Sequence, residues 1–278
     1  MYAPLELTGL TKVFQTPTGP FIAVKDVNVP IHDGECVALL GHEGHGSSTV
    51  LAMVAGLVEA TLGGVVIDGY EVVDAGPERA LVPRSPGLLP WLTVRQNVEL
   101  AAGGAPRWRA PGTPVPTAMG CLALAGVDDL ASRLPAALPP GAAQRVSLAR
   151  ALALGPRFLL LDDAFAELDS LTRFELQDVL LRIRERSGVT VVMVTHDVDE
   201  ALYLADRLVL MTDGPEATVG DVFTVPFGRP RARAAVLSHP DYHASRRHVI
   251  DFLEHHAHQS RPSALDDVLR RRGEKRRA

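Results

Sequence analysis

Gly41 and Gly46 stand five positions apart in Gly41-His42-Glu43-Gly44-His45-Gly46, followed at once by Ser47, Ser48 and Thr49. Two glycines at that spacing let a turn offer its backbone N–H groups to a phosphate while a helix N-terminus faces the same anion. The hydroxyls of Ser48 and Thr49 are placed to reach a metal ion, but position 47, where such loops carry lysine, holds serine. Farther along, Asp162-Asp163 close one apolar run, Phe158–Leu161, and Thr195-His196 close another, Val189–Val194. An aspartate at a strand end is the usual companion of a phosphate loop because it holds Mg²⁺. A histidine at the same edge can approach a phosphate or simply be a satisfied polar residue. The chemistry these residues could share is binding and transfer of a phosphoryl group.

To act together they must be positioned by common elements. Glu35–Leu40 is a short apolar run suited to a buried strand, and a helical pattern runs from Ser47 to Leu57. Strand, glycine loop and helix in that order are the setting a phosphate loop requires. Residues 4–32 read as short strands around the turn Thr16-Pro-Thr-Gly-Pro20. Residues 101–119 read as a Gly/Pro/Ala-rich connection. The stretch Ala118–Ala153 reads as helical, interrupted at Leu138–Gly141, and a charged helix spans Ser170–Ser187. Strands alternating with helices predict a parallel α/β sheet, and ligands of such sheets lie beyond the carboxyl ends of the strands. The loop after Leu40, Asp162-Asp163 and His196 all fall at that edge.

The bulk composition sets limits. At 278 residues, 46% hydrophobic and 22% charged, the sequence is that of an ordinary globular chain. It has no apolar run long enough to span a bilayer and no basic-then-apolar leader at its start, which predicts a cytosolic protein. Two cysteines, Cys36 and Cys121, make neither a disulfide framework nor a metal cluster. The net charge is −5, with +4 in residues 261–278 and therefore −9 in the rest. That basic stretch reads first as a solvated tail, and secondly as a contact for anionic lipid or nucleic acid. The chain holds 28 basic residues, and only Lys12, Lys25 and Lys275 among them are lysines.

The order of the segments resembles the ATPases of ABC transporters. It runs from the glycine loop through Leu88-Leu-Pro-Trp-Leu-Thr-Val94, Gln144-Arg-Val-Ser-Leu-Ala-Arg150, Phe158–Asp163, Leu168-Asp169 and Val194-Thr-His-Asp197. The resemblance extends from about Leu5 to Gly214. The Leu-Leu-Pro-Trp segment and the stretch Val219–Arg231 are similar to the nitrate, sulfonate and taurine importer group. The resemblance implies a P-loop NTPase fold of the ABC type, mostly parallel, with an antiparallel β lobe and a helical lobe at about 86–154. Residues 1–214 would form this domain and 215–278 a C-terminal extension, helical from Tyr242 to His256. It further implies ATP and Mg²⁺ as ligands. Phe14 would stack on adenine, unless it is merely an edge or core aromatic. Gly41 to Thr49 would wrap the phosphates, Ser48 and Asp162 would hold Mg²⁺, His196 would approach the γ-phosphate, and Asp169 would sit at a dimer seam. Implied partners are a membrane permease subunit, a second nucleotide-binding subunit and, indirectly, a solute-binding protein, with no nucleic acid. The implied location is the inner face of the cell membrane.

Five departures from the family pattern alter what the chain should do. Ser47 removes the cation that holds the β- and γ-phosphates, a loss of roughly 1.5–3 kcal/mol. Glu43 adds a negative side chain that His42 and His45 offset only when protonated. Asp163 replaces the glutamate that polarises the attacking water and is one methylene shorter. Arg84 replaces a glutamine; it is either a solvated surface residue or a substitute for the missing lysine. The signature segment reads Leu138-Pro139-Pro140-Gly141-Ala-Ala-Gln144, in which the prolines offer neither hydroxyl nor N–H. The fifth, Ala164 for a proline after the acidic pair, is minor. The expectation is an importer's ATP-binding subunit with impaired or absent hydrolysis. The alternative is a non-hydrolysing structural or regulatory partner of an intact ATPase. A soluble ABC protein without a transport role fits less well, since those carry long inserts or tandem cassettes.

Overall fold

A computed structural model describes residues 3–17, 19–42, 44–103, 117–139 and 141–257. Glu43, Pro140, most of the connection 101–119 and the basic stretch 261–278 lie outside the described residues.

The centre of the main sheet is built from runs that are apolar at nearly every position. β3 (Cys36–Leu40) and β8 (Thr190–Thr195) are buried throughout, and β7 (Phe158–Asp162) is buried up to its last residue. Strands covered on both faces need no polar alternation, which is why these runs are continuous. With β6 (Arg79–Val82), β9 (Arg207–Met211) and β10 (Val219–Thr224) they form a six-stranded sheet of order β10-β9-β3-β8-β7-β6. All neighbours are parallel except β9 and β10.

Alternate residues of these strands enter two separate cores. Cys36, Ala38, Leu40, Leu159, Leu161, Val191 and Met193 face the helices α2 (Val94–Ala102), α3 (Ala118–Ala125), α4 (Ala142–Ala153), α5 (Ser170–Ser187) and α6 (Val198–Leu204). Val37, Leu39, Phe158, Leu160, Val192 and Val194 face α1 (Ser47–Val54) and a second, antiparallel sheet. That sheet has the order β2-β1-β4-β5, with β1 at Leu5–Thr16, β2 at Gly19–Ile31, β4 at Leu62–Ile67 and β5 at Tyr70–Glu71. The expected short strands of residues 4–32 are instead two long ones. Register shifts between Leu7 and Val13 interrupt the pairing without ending it, and this hides the two-residue period from the sequence.

Gly63 sets the distance between β4 and β1. Its φ is +67°, and a Cβ there would stand 2.2 Å from the Thr8 carbonyl oxygen and 2.3 Å from that of Gly9. Backbone atoms cannot move aside as a side chain can. Gly63→Ala is expected to cost about 2–4 kcal/mol, from the left-handed conformation and the overlap together. Urea denaturation would register this as a lower midpoint at unchanged slope.

The chain beyond Gly214 contributes to both sheet and core. β10 extends the main sheet, and Val225, Phe227, Val236, Tyr242 and Val249 join the helix-side core. After the short α7 (Arg233–Leu237), α8 (Tyr242–Ala257) lies against β10, where a Cβ on Gly220 would strike the Phe252 ring. Asp206 anchors this return: its carboxylate accepts from Cys36 N–H at 2.8 Å, Arg184 at 2.7 Å, Arg231 at 3.3 Å and Arg229. Burial opposes ionisation of Asp206, but Arg184 and Arg229 outweigh it and hold its carboxyl below the usual range.

Candidate nucleotide-binding site

Strand register brings the sequence-predicted residues to one edge. Leu40 pairs with Thr195, and Asp162 pairs with Val194. The glycine loop, the acidic pair and His196 therefore leave three adjacent strands side by side. The contacts confirm the convergence: Ser48 Oγ–H donates to Asp162 Oδ1 at 2.7 Å, and His196 Nδ1 bonds the Gly41 carbonyl at 2.9 Å. Two oxygens so close at a strand end are a fitting pair of ligands for Mg²⁺.

Among the described helices, α1 and α4 start without the side-chain cap that four others have. α2, α3, α5 and α6 are capped by Thr93, Thr117, Asp169 and Asp197, whose side chains accept from first-turn N–H groups. α1 and α4 begin instead at Gly46 (φ +78°) and Gly141 (φ +76°), with no side-chain cap. A helix start left uncapped keeps its N–H groups and its positive dipole end available to an anion. Pro139 precedes the Gly141 cap, so the proline pair costs the segment a hydroxyl and its own N–H groups but leaves the first turn of α4 intact. The loss expected from the sequence is narrower than a missing helix terminus.

The interior of the loop holds a histidine. His45 is 2% exposed; its Nδ1 is bonded to the His42 carbonyl and its ring lies where a Cβ on Gly41 would be, 2.6 Å away. His45 Nε2 and Ser47 Oγ are buried without hydrogen-bond partners. Burial pushes the His45 pKa down to about 4. The ring is neutral at neutral pH, so His45 supplies no charge there to offset Glu43. The Ser48–Asp162 pair and the uncapped start of α1 at Gly46 fit a nucleotide; the filled loop interior fits it poorly.

The shift also fixes a pH dependence. The unfolded His45 takes up a proton near pH 6.5 and the folded one only near 4, so the unfolded state binds more protons in between. Stability contributed at this position is full above about pH 6.5 and falls as the pH drops toward 4. Denaturation midpoints compared between the wild type and His45→Ala across pH 7 to 4 should converge on acidification.

Asp163 adopts φ +49°, a left-handed conformation costly for aspartate, and its N–H donates to the Val194 carbonyl at 3.0 Å. Burial raises its pKa above the ordinary range, with His196 and Arg84 pulling the other way. Arg84 is more than half exposed and stands beside two carboxylates. Its guanidinium lies 3.5 Å from Asp163 Oδ2 and 3.3 Å from Glu167 Oε1. Glu167 was not anticipated; its signal was the density of acids in Asp162, Asp163, Glu167 and Asp169. Gln144 is turned inward, donating to the Pro83 carbonyl at 2.9 Å, and so ties α4 to the residue before Arg84. Asp169 is exposed and caps α5; bonds from Thr172 and then Leu171 hold its carboxyl below the usual range. Gly141 packs against that first turn, where a Cβ would stand 2.0 Å from Thr172 Cγ2. Phe14 is 38% exposed on β1, paired with Phe21 and lying beneath Lys12 Nζ.

The ABC transporter family matches residues 24–166, which takes in the loop, the Arg84 segment, α4 and the acidic pair. The chain belongs to the ABC transporter family. The nitrate import ATP-binding protein NrtD of Synechococcus elongatus is 43% identical over 242 residues, covering 87% of this chain and 88% of that protein. NrtC of Synechocystis sp., also a nitrate import ATP-binding protein, is 42% identical over 97% of this chain; the chain spans 40% of the length of that relative. Among solved structures, the dimeric ATP-binding cassette MJ0796 bound to ADP and Pi superimposes with a TM-score of 0.68 at 30% identity. That match covers 81% of this chain and 100% of the other. The α/β core with its antiparallel sheet is thus an ABC cassette, and no described helix is long and apolar enough to cross a membrane.

Proposed function

We propose that this cassette is the nucleotide-binding subunit of an importer for a small inorganic anion, and that it binds MgATP weakly and hydrolyses it slowly or not at all. The anion class follows from the relatives, which are named for nitrate import and, in CmpD of Synechocystis sp., bicarbonate transport. The impaired site rests on one observation: Ser48 and Asp162, the pair proposed to hold the metal, are joined by a hydrogen bond while the neighbouring loop position is a buried serine.

In this reading Phe14 stacks on adenine, and Gly41 to Thr49 with Gly46-capped α1 wrap the phosphates. Ser48 and Asp162 hold Mg²⁺, which when bound offsets phosphate charge. His196, held by the Gly41 carbonyl, faces the terminal phosphate. Asp163 is the group left to orient the attacking water. The segment Leu138–Gln144 and Asp169 face a second nucleotide-binding subunit across the seam. Trp91, 71% exposed just before α2, offers the aromatic contact for a membrane permease subunit at the cytoplasmic face. A solute-binding protein joins only through that permease.

A second reading, a non-hydrolysing partner of an intact ATPase, is favoured by the pairing of Arg84 with Asp163. Measuring ATP binding and turnover of the purified chain, alone and mixed with an intact homologue, tests both. Turnover of the chain alone at about 1–10 s⁻¹, an ordinary enzyme rate, would overturn the impaired site.

A further inference from the structure

Three histidines tie the phosphate loop to its surroundings. A carbonyl oxygen can only accept, so each ring nitrogen bonded to one carries the proton. His42 Nε2–H donates to the Leu253 carbonyl of α8 at 3.0 Å, across 211 residues of sequence. His45 Nδ1–H donates in turn to the carbonyl of His42 itself. His196 Nδ1–H donates to the Gly41 carbonyl at 2.9 Å, and its ring meets that of His45 edge-on, with centroids 5.4 Å apart. Two successive carbonyls of the loop are thus held by imidazoles, and the His45 ring fills the space over Gly41.

α8 is fastened independently of that loop. Tyr242 O–H donates to Asp199 at 2.7 Å, and Arg246 pairs with the same carboxylate at 2.8 Å. Asp199 lies in the first turn of α6, three residues after His196. Farther along α8, the His248 ring stacks on Phe223 and its Nε2 lies 2.8 Å from Asp221, both residues of β10. Phe252 covers Gly220 of the same strand. A helix held at both α6 and β10 does not follow the loop when the loop moves. The bond from His42 therefore restrains the loop rather than the helix.

We infer that His42 is a positioning residue through which α8 keeps the His45 ring inside the phosphate loop. This rests on the reading of the loop as a nucleotide site. The His42 ring is fixed by α8 and the His42 carbonyl anchors His45, so one residue transmits the restraint. Phosphates entering the loop need its backbone N–H groups and the room that the His45 ring occupies. Nucleotide and the histidine chain therefore compete, and the competition is reciprocal. Whatever loosens the grip of α8 favours nucleotide, and nucleotide loosens the grip of α8. One neutral hydrogen bond is equivalent to about three- to tenfold in such an equilibrium.

The test is calorimetric titration of the full chain with MgATP, in both the wild-type and the Ser47→Lys backgrounds. Thermal denaturation serves as the folding control. His42→Ala is expected to raise affinity about three- to tenfold. His42→Gln, which carries an N–H at a similar reach, returns affinity toward the starting value. In His45→Ala no ring remains to be held, so adding His42→Ala changes affinity by less than about twofold. A residue that merely supports the fold would act alike in both backgrounds. Amide hydrogen exchange over α8 should quicken when MgATP is added to Ser47→Lys, and not when His45→Ala is also present. Affinity unchanged or lowered by His42→Ala, while Ser47→Lys binds MgATP, overturns the inference and leaves the loop reading intact. An equal gain with and without His45 overturns it as well. If no chain of the set binds MgATP, the loop is not a nucleotide site and both readings fall.

Discussion

Ser47→Lys is expected to raise MgATP affinity by about ten- to a hundredfold. A charge-assisted hydrogen bond contributes about 1.5–3 kcal/mol, and each 1.4 kcal/mol is tenfold in affinity. The gain depends on room for the new side chain. Ser47 is buried and its hydroxyl finds no partner, so the wild-type residue forfeits little when replaced. The obstacle is His45, whose ring lies on Gly41 and occupies the His42 carbonyl inside the loop. His45→Ala empties that space. The double variant His45→Ala with Ser47→Lys is therefore expected to bind at least as tightly as Ser47→Lys alone. Calorimetric titration of the four chains gives the coupling directly. Equal affinity in all four would mean that phosphate does not enter the loop.

Affinity alone does not restore turnover, because the base position has its own defects. Asp163 is a methylene short, and Arg84 stands 3.5 Å from its carboxylate with donors only. Misplacement by about 1 Å costs roughly a hundredfold in rate. With the loop repaired by Ser47→Lys, changing Asp163→Glu and Arg84→Gln together should raise kcat by about two orders of magnitude with little change in KM. Single-turnover hydrolysis in the presence of an intact partner subunit is the measurement. A rise in KM with flat kcat would place Arg84 in binding and refute its role as a restraint on the base. Glu167 then loses its partner as well, but it is exposed and its pairing contributes little to stability.

The parallel sheet and the meeting of Gly41, Asp162 and His196 were legible because their signals are local. Uninterrupted apolar runs mark strands buried on both faces, and residues just past such strands must share one edge. The long hairpin at the start was missed because the bulges between Leu7 and Val13 scramble the alternation that reveals a strand. The substitution at position 47 was plain in the sequence, yet the filling of the loop by His45 was not. Whether a histidine points outward as a charge or inward as a neutral plug depends on packing, which spacing does not encode. Arg84 shows the same limit: its type announced a changed site, but its partners Asp163 and Glu167 come from a segment about eighty residues away. The helix-side role of the chain beyond Gly214 was hidden because Val225, Phe227, Val236, Tyr242 and Val249 are too widely spaced to show a period.

The single carboxylate of Asp206 sets how short a viable polypeptide can be. Cut at 214, the chain would lose two of the three guanidiniums that compensate that half-buried group, Arg229 and Arg231, and would uncover the apolar face on which Val236 and Tyr242 rest. An ion stranded in a partly dry interior is among the costlier defects a protein can carry. Natural recombination or deliberate trimming must accordingly keep everything through α8 together, so the smallest exchangeable module here is longer than the stretch holding the recognisable motifs.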